Sequence, residues 1–279
     1  MKDFVIITGA SQGLGKSFVL ECAKRKMDIL MVSLPFSGLT ELKKFIEENF
    51  DVFIDYLEID LTDPNSSSAL IEYVKFKKYP VSLLINNAGL GGNFYFESED
   101  FSLFDRMIQL NIKALTQITH GMIPVLKKRP ISYILNVSSM SIHFAGPYKQ
   151  VYGATKSFIF YFSNSLSIEL ADKNIHVSVL CPAGINSNQK MIKIHEKCNY
   201  FQKISILDPD EVAEYSIKKT LEGKTVIIPG KIVNLYFLFS KLIPASIKRW
   251  MINSTNQRLI RSQNTLNEIP KKKSNLKVV

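Results

Sequence analysis

Two side chains in the stretch Val151–Phe158, VYGATKSF, have the types and spacing to move a proton: Tyr152 and, four residues later, Lys156. On a helix this interval places both on one face, one turn apart. A phenol titrates at about 10, too high for easy proton exchange near neutrality. A cation one turn away favours the phenolate, so Lys156 predicts a lowered pKa for Tyr152. The same pair also fits an ordinary solvated helix face, and the spacing alone does not separate the two readings.

A second stretch suited to chemistry lies near the start, Thr8-Gly9-Ala10-Ser11-Gln12-Gly13-Leu14-Gly15. Its glycines let the backbone turn tightly and approach a pyrophosphate, which then sits at the positive end of the following helix. A glycine-rich turn can be only a tight turn. Its place between an apolar strand-like run and a helical run is what points to a dinucleotide. A P-loop is excluded, because the interval from Gly9 to Gly15 before Lys16-Ser17 is wrong for that motif.

These residues need elements to position them. Short apolar runs at Phe4–Thr8, Ile29–Ser33, Val52–Ile59, Val81–Asn86, Tyr133–Val137, His176–Leu180 and Val226–Ile228 read as strands. Several are continuously apolar, as parallel strands covered on both faces are. The segments Gly13–Lys26, Leu39–Glu48, Ser66–Lys77, Phe101–Met122, Val151–Leu170 and Pro209–Leu221 read as helices, with Asp63-Pro64 and Asp208-Pro209 as starting signals. The alternation predicts an α/β fold, a doubly wound parallel β-sheet with right-handed crossovers. Ligands in such sheets bind beyond the carboxyl ends of the strands, where the strand order reverses.

The ordered set resembles the short-chain dehydrogenase/reductase family. Its members are carried by Thr8-Gly9 with Gly13 and Gly15, Asp60-Leu61 after the third strand, Asn86-Asn87-Ala88-Gly89 after the fourth, Asn111, Ser139, and Tyr152-x-x-x-Lys156. Order and spacing agree from residue 3 to about 190. The resemblance implies a Rossmann-type single domain and hydride transfer between a nicotinamide and a carbonyl. It assigns Tyr152 as proton donor, Ser139 as the hydroxyl that orients the substrate oxygen, Lys156 as the cation beside the phenol and holder of the ribose hydroxyls, and Asn111 as holder of a relay water. Asn111 could equally tie its helix to a neighbouring loop, and Ser138 is expected to bond local backbone. The implied cofactor site comprises Thr8, Gly9, Ser11, Gln12, Gly13, Leu14, Gly15, Ser33, Asp60, Leu61, Asn87, Ala88, Gly89, Tyr152, Lys156, Pro182, Gly184, Ile185 and Ser187. In that site Asn87 lies near the nicotinamide ribose and Asp60 near the adenine; Asp60 otherwise reads as a turn former. Cys181-Pro182-Ala183-Gly184-Ile185-Asn186-Ser187 departs from the family pattern with Ala183 for glycine and Ser187 for threonine.

The second strand ends Met31-Val32-Ser33-Leu34-Pro35, with neither the acid that favours NAD nor the arginine typical of NADP users. The missing acid favours NADP, with NAD the alternative, and Ser33 could bond the 2′-phosphate. The expected activity is the interconversion of a ketone and a secondary alcohol. Apolar residues Phe94, Tyr95, Phe96, Ile192 and Ile194 suggest a hydrophobic or acyl-type substrate. The alternative is a catalytically idle relative acting as a nucleotide sensor or scaffold. The family also implies a homodimer or homotetramer.

Bulk properties narrow the classes further. The chain has 279 residues, 46% hydrophobic and 22% charged, ordinary values for a globular protein. Its formal net charge of +10 is uneven: residues 1–220 hold 24 Lys+Arg against 23 Asp+Glu, and residues 221–279 hold 11 against 2. The neutral body argues against nucleic-acid binding. Cys22, Cys181 and Cys198 form neither a disulfide framework nor a zinc spacing, and His120, His143, His176 and His195 are scattered, so no metal is expected. With no export signal read at the amino terminus, a cytoplasmic location is expected.

Residues 1–230 read as the catalytic domain, 231–261 as an apolar and basic extension, and 262–279 as a tail expected to be disordered. The apolar run in 231–252 is interrupted by Lys241 and Pro244, and falls short of the roughly 20 apolar residues a spanning helix needs. It could cover the substrate pocket or an oligomer interface, the favoured reading. It could instead make peripheral membrane contact, or meet an acidic carrier of the substrate.

Overall fold

The structure is a computed structural model that describes residues 3–143, 147–186, 206–230 and 233–235. The expectations for Ser187, Ile192, Ile194, His195 and Cys198, and for the extension and tail apart from 233–235, lie outside the described residues.

Seven strands, β1 Phe4–Thr8, β2 Asp28–Ser33, β3 Ile54–Glu58, β4 Val81–Asn86, β5 Ser132–Val137, β6 Ile175–Leu180 and β7 Val226–Ile227, form one parallel sheet in the order β3-β2-β1-β4-β5-β6-β7. Seven α-helices are described: α1 Gly13–Lys24, α2 Leu39–Asn49, α3 Ser66–Lys77, α4 Phe101–Ile108, α5 Leu115–Leu126, α6 Gln150–Glu169 and α7 Pro209–Leu221. The expected doubly wound sheet is present. The reason lies in the strands: alternate residues are apolar toward both sides, so each strand must be covered twice. Val5, Ile7, Ile29, Met31, Leu83 and Ile85 pack with Phe18 of α1, Ile46 of α2 and Ile217 of α7. Phe4, Ile6, Leu30, Val32, Leu84 and Ile134 pack with Leu70 of α3, Met122 of α5 and Leu166 of α6. Each fully buried aliphatic side chain contributes about 1.5–3 kcal/mol, so both layers are strongly held.

The order reverses between β1 and β4, because the chain runs outward to β3 and then returns to the other side of β1. Their carboxyl ends, Thr8 and Asn86, flank the crevice where ligands bind in such sheets.

Helix starts follow local chemistry. The side chain of Asp208 accepts from the Asp210 amide at 2.8 Å with Pro209 in the first turn of α7, and Asp100 accepts from Ser102 N at 2.9 Å at the start of α4. Asp63 accepts from Asn65 N at 2.8 Å, forming the turn that precedes α3. The single helix expected over Phe101–Met122 is broken differently: α4 gives way to a π-helical segment, Gln109–Ala114, before α5. Periodicity cannot reveal such a segment, because it inserts one residue without ending the helix. Asn111 sits within it.

Candidate active site

At the start of α1 the backbone itself is the binding surface. Gln12 caps the helix in extended conformation, no side chain bonds the cap, and no acid occupies the first turn. The first amides therefore face the crevice with the positive end of the helix behind them. Close packing under this turn requires glycine: a Cβ on Gly15 would stand 1.8 Å from Gly9 O. Leu14 is buried and anchors the turn to the core. A bare, uncapped helix start with glycines beneath it fits a dinucleotide pyrophosphate.

Thr8 and Asn87 join the two loops across the crevice. Thr8 Oγ1 accepts from the amides of Asn87 and Ala88, each at 3.0 Å. Asn87 Nδ2 donates back to Thr8 O at 3.0 Å and Gly9 O at 3.1 Å. These bonds set the floor between β1 and β4. Ser11 and Ser33 share a hydrogen bond of 2.9 Å between hydroxyls at the ends of β1 and β2. Glu58, in register with Ser33 on β3, uses Oε1 to accept from Phe36 N at 3.2 Å, a nearby carboxylate that sequence reasoning missed. Asp60 Oδ1 accepts from both the amide and the hydroxyl of Thr62 at 2.8 Å, the turn-forming role weighed for it, and Leu61 beside it is buried.

Deeper in the crevice, Ser139, Tyr152, Lys156 and Asn111 converge. The Ser139 hydroxyl lies close enough to the Tyr152 phenol to favour its ionised form, and Ser139 Oγ accepts from Ser141 N at 3.1 Å. Lys156 Nζ lies 5.9 Å from the Tyr152 ring centroid and donates to Val137 O at 2.8 Å. Gly89 marks the convergence: a Cβ there would stand 3.3 Å from Lys156 Nζ and 3.4 Å from Asn111 Oδ1. Ser138 Oγ donates to Lys156 O at 2.7 Å, as expected of a residue bonding local backbone.

One electrostatic expectation is corrected. Burial pushes the Tyr152 phenol above its ordinary value of 10.0, and the nearby Ser139 hydroxyl only partly opposes this. Desolvation outweighs the help of the Lys156 ammonium, which is held on the Val137 carbonyl and whose own pKa burial pulls to about 8. Spacing along a helix sets proximity, whereas the buried carbonyl decides where the ammonium points.

Asn111 has the tying role weighed for it. Its Oδ1 accepts from Leu90 N at 2.8 Å, and its Nδ2 donates to Leu90 O at 2.9 Å and to Thr155 Oγ1 at 3.0 Å. Thr155, unremarked in the sequence, in turn donates to Tyr152 O at 2.8 Å, so one hydroxyl links Asn111 to the helix that carries the phenol. Behind it runs another unforeseen chain: Asn86 Nδ2 donates to Asn136 Oδ1 at 2.8 Å, and Asn136 Nδ2 to Ser163 Oγ at 2.9 Å. It fastens β4, β5 and α6 together beneath the site. Only polar types within apolar runs hinted at these partners.

On the far wall, Pro182 O accepts from Met140 N at 2.9 Å and Gly184 O from Leu207 N at 2.9 Å, while Ile185 bridges to Leu207. Among the described residues no group of His, Cys, Asp and Glu could hold a metal, and no helix is long and apolar enough to cross a membrane.

Comparison with known proteins agrees with this arrangement. Residues 3–197 match the sequence model of the short chain dehydrogenases. The chain is 27% identical to an NADP-dependent 3-hydroxy acid dehydrogenase of Schizosaccharomyces pombe over 236 residues, 82% of this chain and 91% of that protein. It is 29% identical to a very-long-chain 3-oxoacyl-CoA reductase of Rattus norvegicus over 200 residues, 70% of this chain and 62% of that one. Among solved structures, the bulky-bulky ketone specific alcohol dehydrogenase of Comamonas testosteroni superposes with a TM-score of 0.71 at 25% identity, covering 98% of this chain and 96% of that one. Sheet order, glycine turn and matched sequence together make this chain an NAD(P)-dependent oxidoreductase of the short-chain dehydrogenase/reductase family.

Proposed function

We propose that the protein is an NADP-dependent carbonyl reductase, interconverting a ketone and a secondary alcohol on a hydrophobic or acyl-type substrate. The observation that carries this reading is the Tyr152 phenol, beside the Ser139 hydroxyl and one helical turn from Lys156, at the inner end of a crevice whose outer end is an uncapped helix start. A sensor or scaffold has no need of a proton donor there.

A nicotinamide bound in the crevice would supply hydride to the carbonyl carbon. Negative charge then grows on the carbonyl oxygen, which must receive a proton. Tyr152 delivers it, since burial keeps the phenol in its protonated form. Ser139 holds the oxygen in line by hydrogen bonding. Lys156 would hold the ribose hydroxyls of a bound cofactor, and its charge favours the phenolate left behind. Asn111 and Thr155 keep the phenol's helix in register with the loop at Leu90.

NADP is favoured because no acid ends β2, the Ser11 and Ser33 hydroxyls sit at that corner, and Glu58 is engaged by the Phe36 amide. The NADP dependence of the yeast relative supports the same choice. The acyl-type substrate is supported by the names of the yeast and rat relatives, which act on a hydroxyl or oxo group at position 3 of an acid or acyl chain.

A panel of ketones assayed with NADPH and NADH tests this reading. Tyr152→Phe should keep NADPH binding within a few fold while turnover falls by about a thousandfold or more, the scale of a lost general acid combined with a lost orienting bond. Undiminished turnover in that variant refutes the proton-donor assignment, and a higher kcat/KM with NADH refutes the cofactor preference.

A further inference from the structure

Tyr152 has a second ammonium beside it that the proton-transfer set does not use. Lys149, the residue immediately before α6, places Nζ 5.9 Å from the Tyr152 ring centroid, the same separation as Lys156 Nζ. The phenol proposed to meet the substrate oxygen is thus accompanied by two cations, one on a buried residue and one on an exposed residue.

Lys149 is held there by a defined strap. Tyr148 O accepts from Phe94 N at 2.8 Å, and the rings of Tyr95 and Tyr148 meet edge to face with centroids 4.6 Å apart. Tyr148 itself adopts a φ of 66°, an uncommon conformation for a bulky side chain that redirects the chain into Lys149. The strap closes over one side of Tyr152, where Gly91 packs so tightly that a Cβ would stand 2.7 Å from Tyr152 Cε2.

Lys149 is exposed as a residue, but its ammonium is drawn toward the ring and loses hydration, which pushes its pKa below the usual 10.5. Among the described residues no carboxylate pairs with it: the ion pairs join Glu21, Glu47, Glu48, Glu72, Asp3 and Glu222 to other partners. Glu97 and Glu99 on the adjoining loop are exposed. A partly desolvated ammonium unpaired among the described residues carries a cost that an anionic ligand offsets.

We propose that Lys149 is a specificity-determining residue whose ammonium binds a carboxylate on the substrate while Tyr152 meets its carbonyl, so that the preferred substrates are oxo acids. This deepens, and rests on, the carbonyl-reductase reading. Lys156 cannot serve this purpose, because it is buried against Val137 O on the inner side.

A matched pair of substrates tests this, 3-oxohexanoate and its methyl ester, reduced by the full-length enzyme with NADPH. The wild-type enzyme should prefer the acid. Lys149→Gln should lower the acid-to-ester ratio of kcat/KM by about tenfold or more, chiefly through KM for the acid, and Lys149→Arg should restore most of it. An unchanged ratio in Lys149→Gln, an equal loss on both compounds, or a wild-type preference for the ester overturns the inference while leaving carbonyl reduction intact. An equal loss would mean that Lys149 acts only on the phenol. Turnover of neither compound overturns the proposal, and inactivity on the whole ketone panel overturns the underlying reading as well.

Discussion

Replacing Lys156 with methionine should stabilise the cofactor-free protein near neutral pH while destroying its activity. Lys156 is 5% exposed, and burial pulls its pKa from 10.5 to about 8. At about 1.4 kcal/mol per unit, keeping this ammonium charged in the fold costs roughly 3 kcal/mol at pH 7. Methionine removes that cost and fills similar volume, but leaves Val137 O without its donor, a loss of about 1 kcal/mol. The net expectation is a gain of about 2 kcal/mol, several degrees in Tm for a chain of this size.

The pH dependence carries the sharper test. Below the folded pKa of about 8 the lysine is protonated in both states, so the destabilisation is fully present. Between about 8 and 10.5 the unfolded chain binds more protons than the folded one, so wild-type stability gains up to about 1.4 kcal/mol per pH unit from this group. The methionine variant lacks that gain. Its advantage should therefore shrink from pH 7 to pH 10 and reverse near the upper end, whereas contributions from other groups cancel in the difference. Urea denaturation of both proteins at pH 7, 8.5 and 10, without cofactor, measures this. A variant less stable than wild type at pH 7, or a difference that does not change with pH, refutes the claim that the fold pays to hold this cation.

Two further substitutions probe the framework around the site. Thr155→Val removes the link between Asn111 and the Tyr152 carbonyl and should lower kcat about tenfold while costing about 1–2 kcal/mol, with NADPH affinity nearly unchanged; steady-state kinetics with cofactor titration will show whether kcat and affinity separate. Gly15→Ala drives a Cβ against Gly9 O and should weaken NADPH binding by at least tenfold, read by cofactor fluorescence, and wild-type affinity there would mean that the turn can move without loss.

The order of strands and helices was legible along the chain because parallel strands buried on both faces must be continuously apolar, as in Val5–Ile7 and Ile29–Val32. The glycine turn and the Tyr152–Lys156 spacing were legible because local backbone geometry dictates them, within a few residues. By contrast, Thr155 pairs with Asn111 across 44 positions, and Asn86 with Asn136 across 50, so no local pattern announces either contact. The π-helical segment that carries Asn111 is likewise invisible to periodicity. Sequence by itself determined the fold class and which residue types stand ready for proton and hydride chemistry, since those follow from burial periodicity and turn geometry. Only the tertiary structure decided how those groups are charged and aimed. It turned Lys156 toward Val137 O, raised the phenol's pKa instead of lowering it, and set Lys149 beside the phenol, because desolvation and hydrogen-bond competition depend on neighbours that only folding brings together.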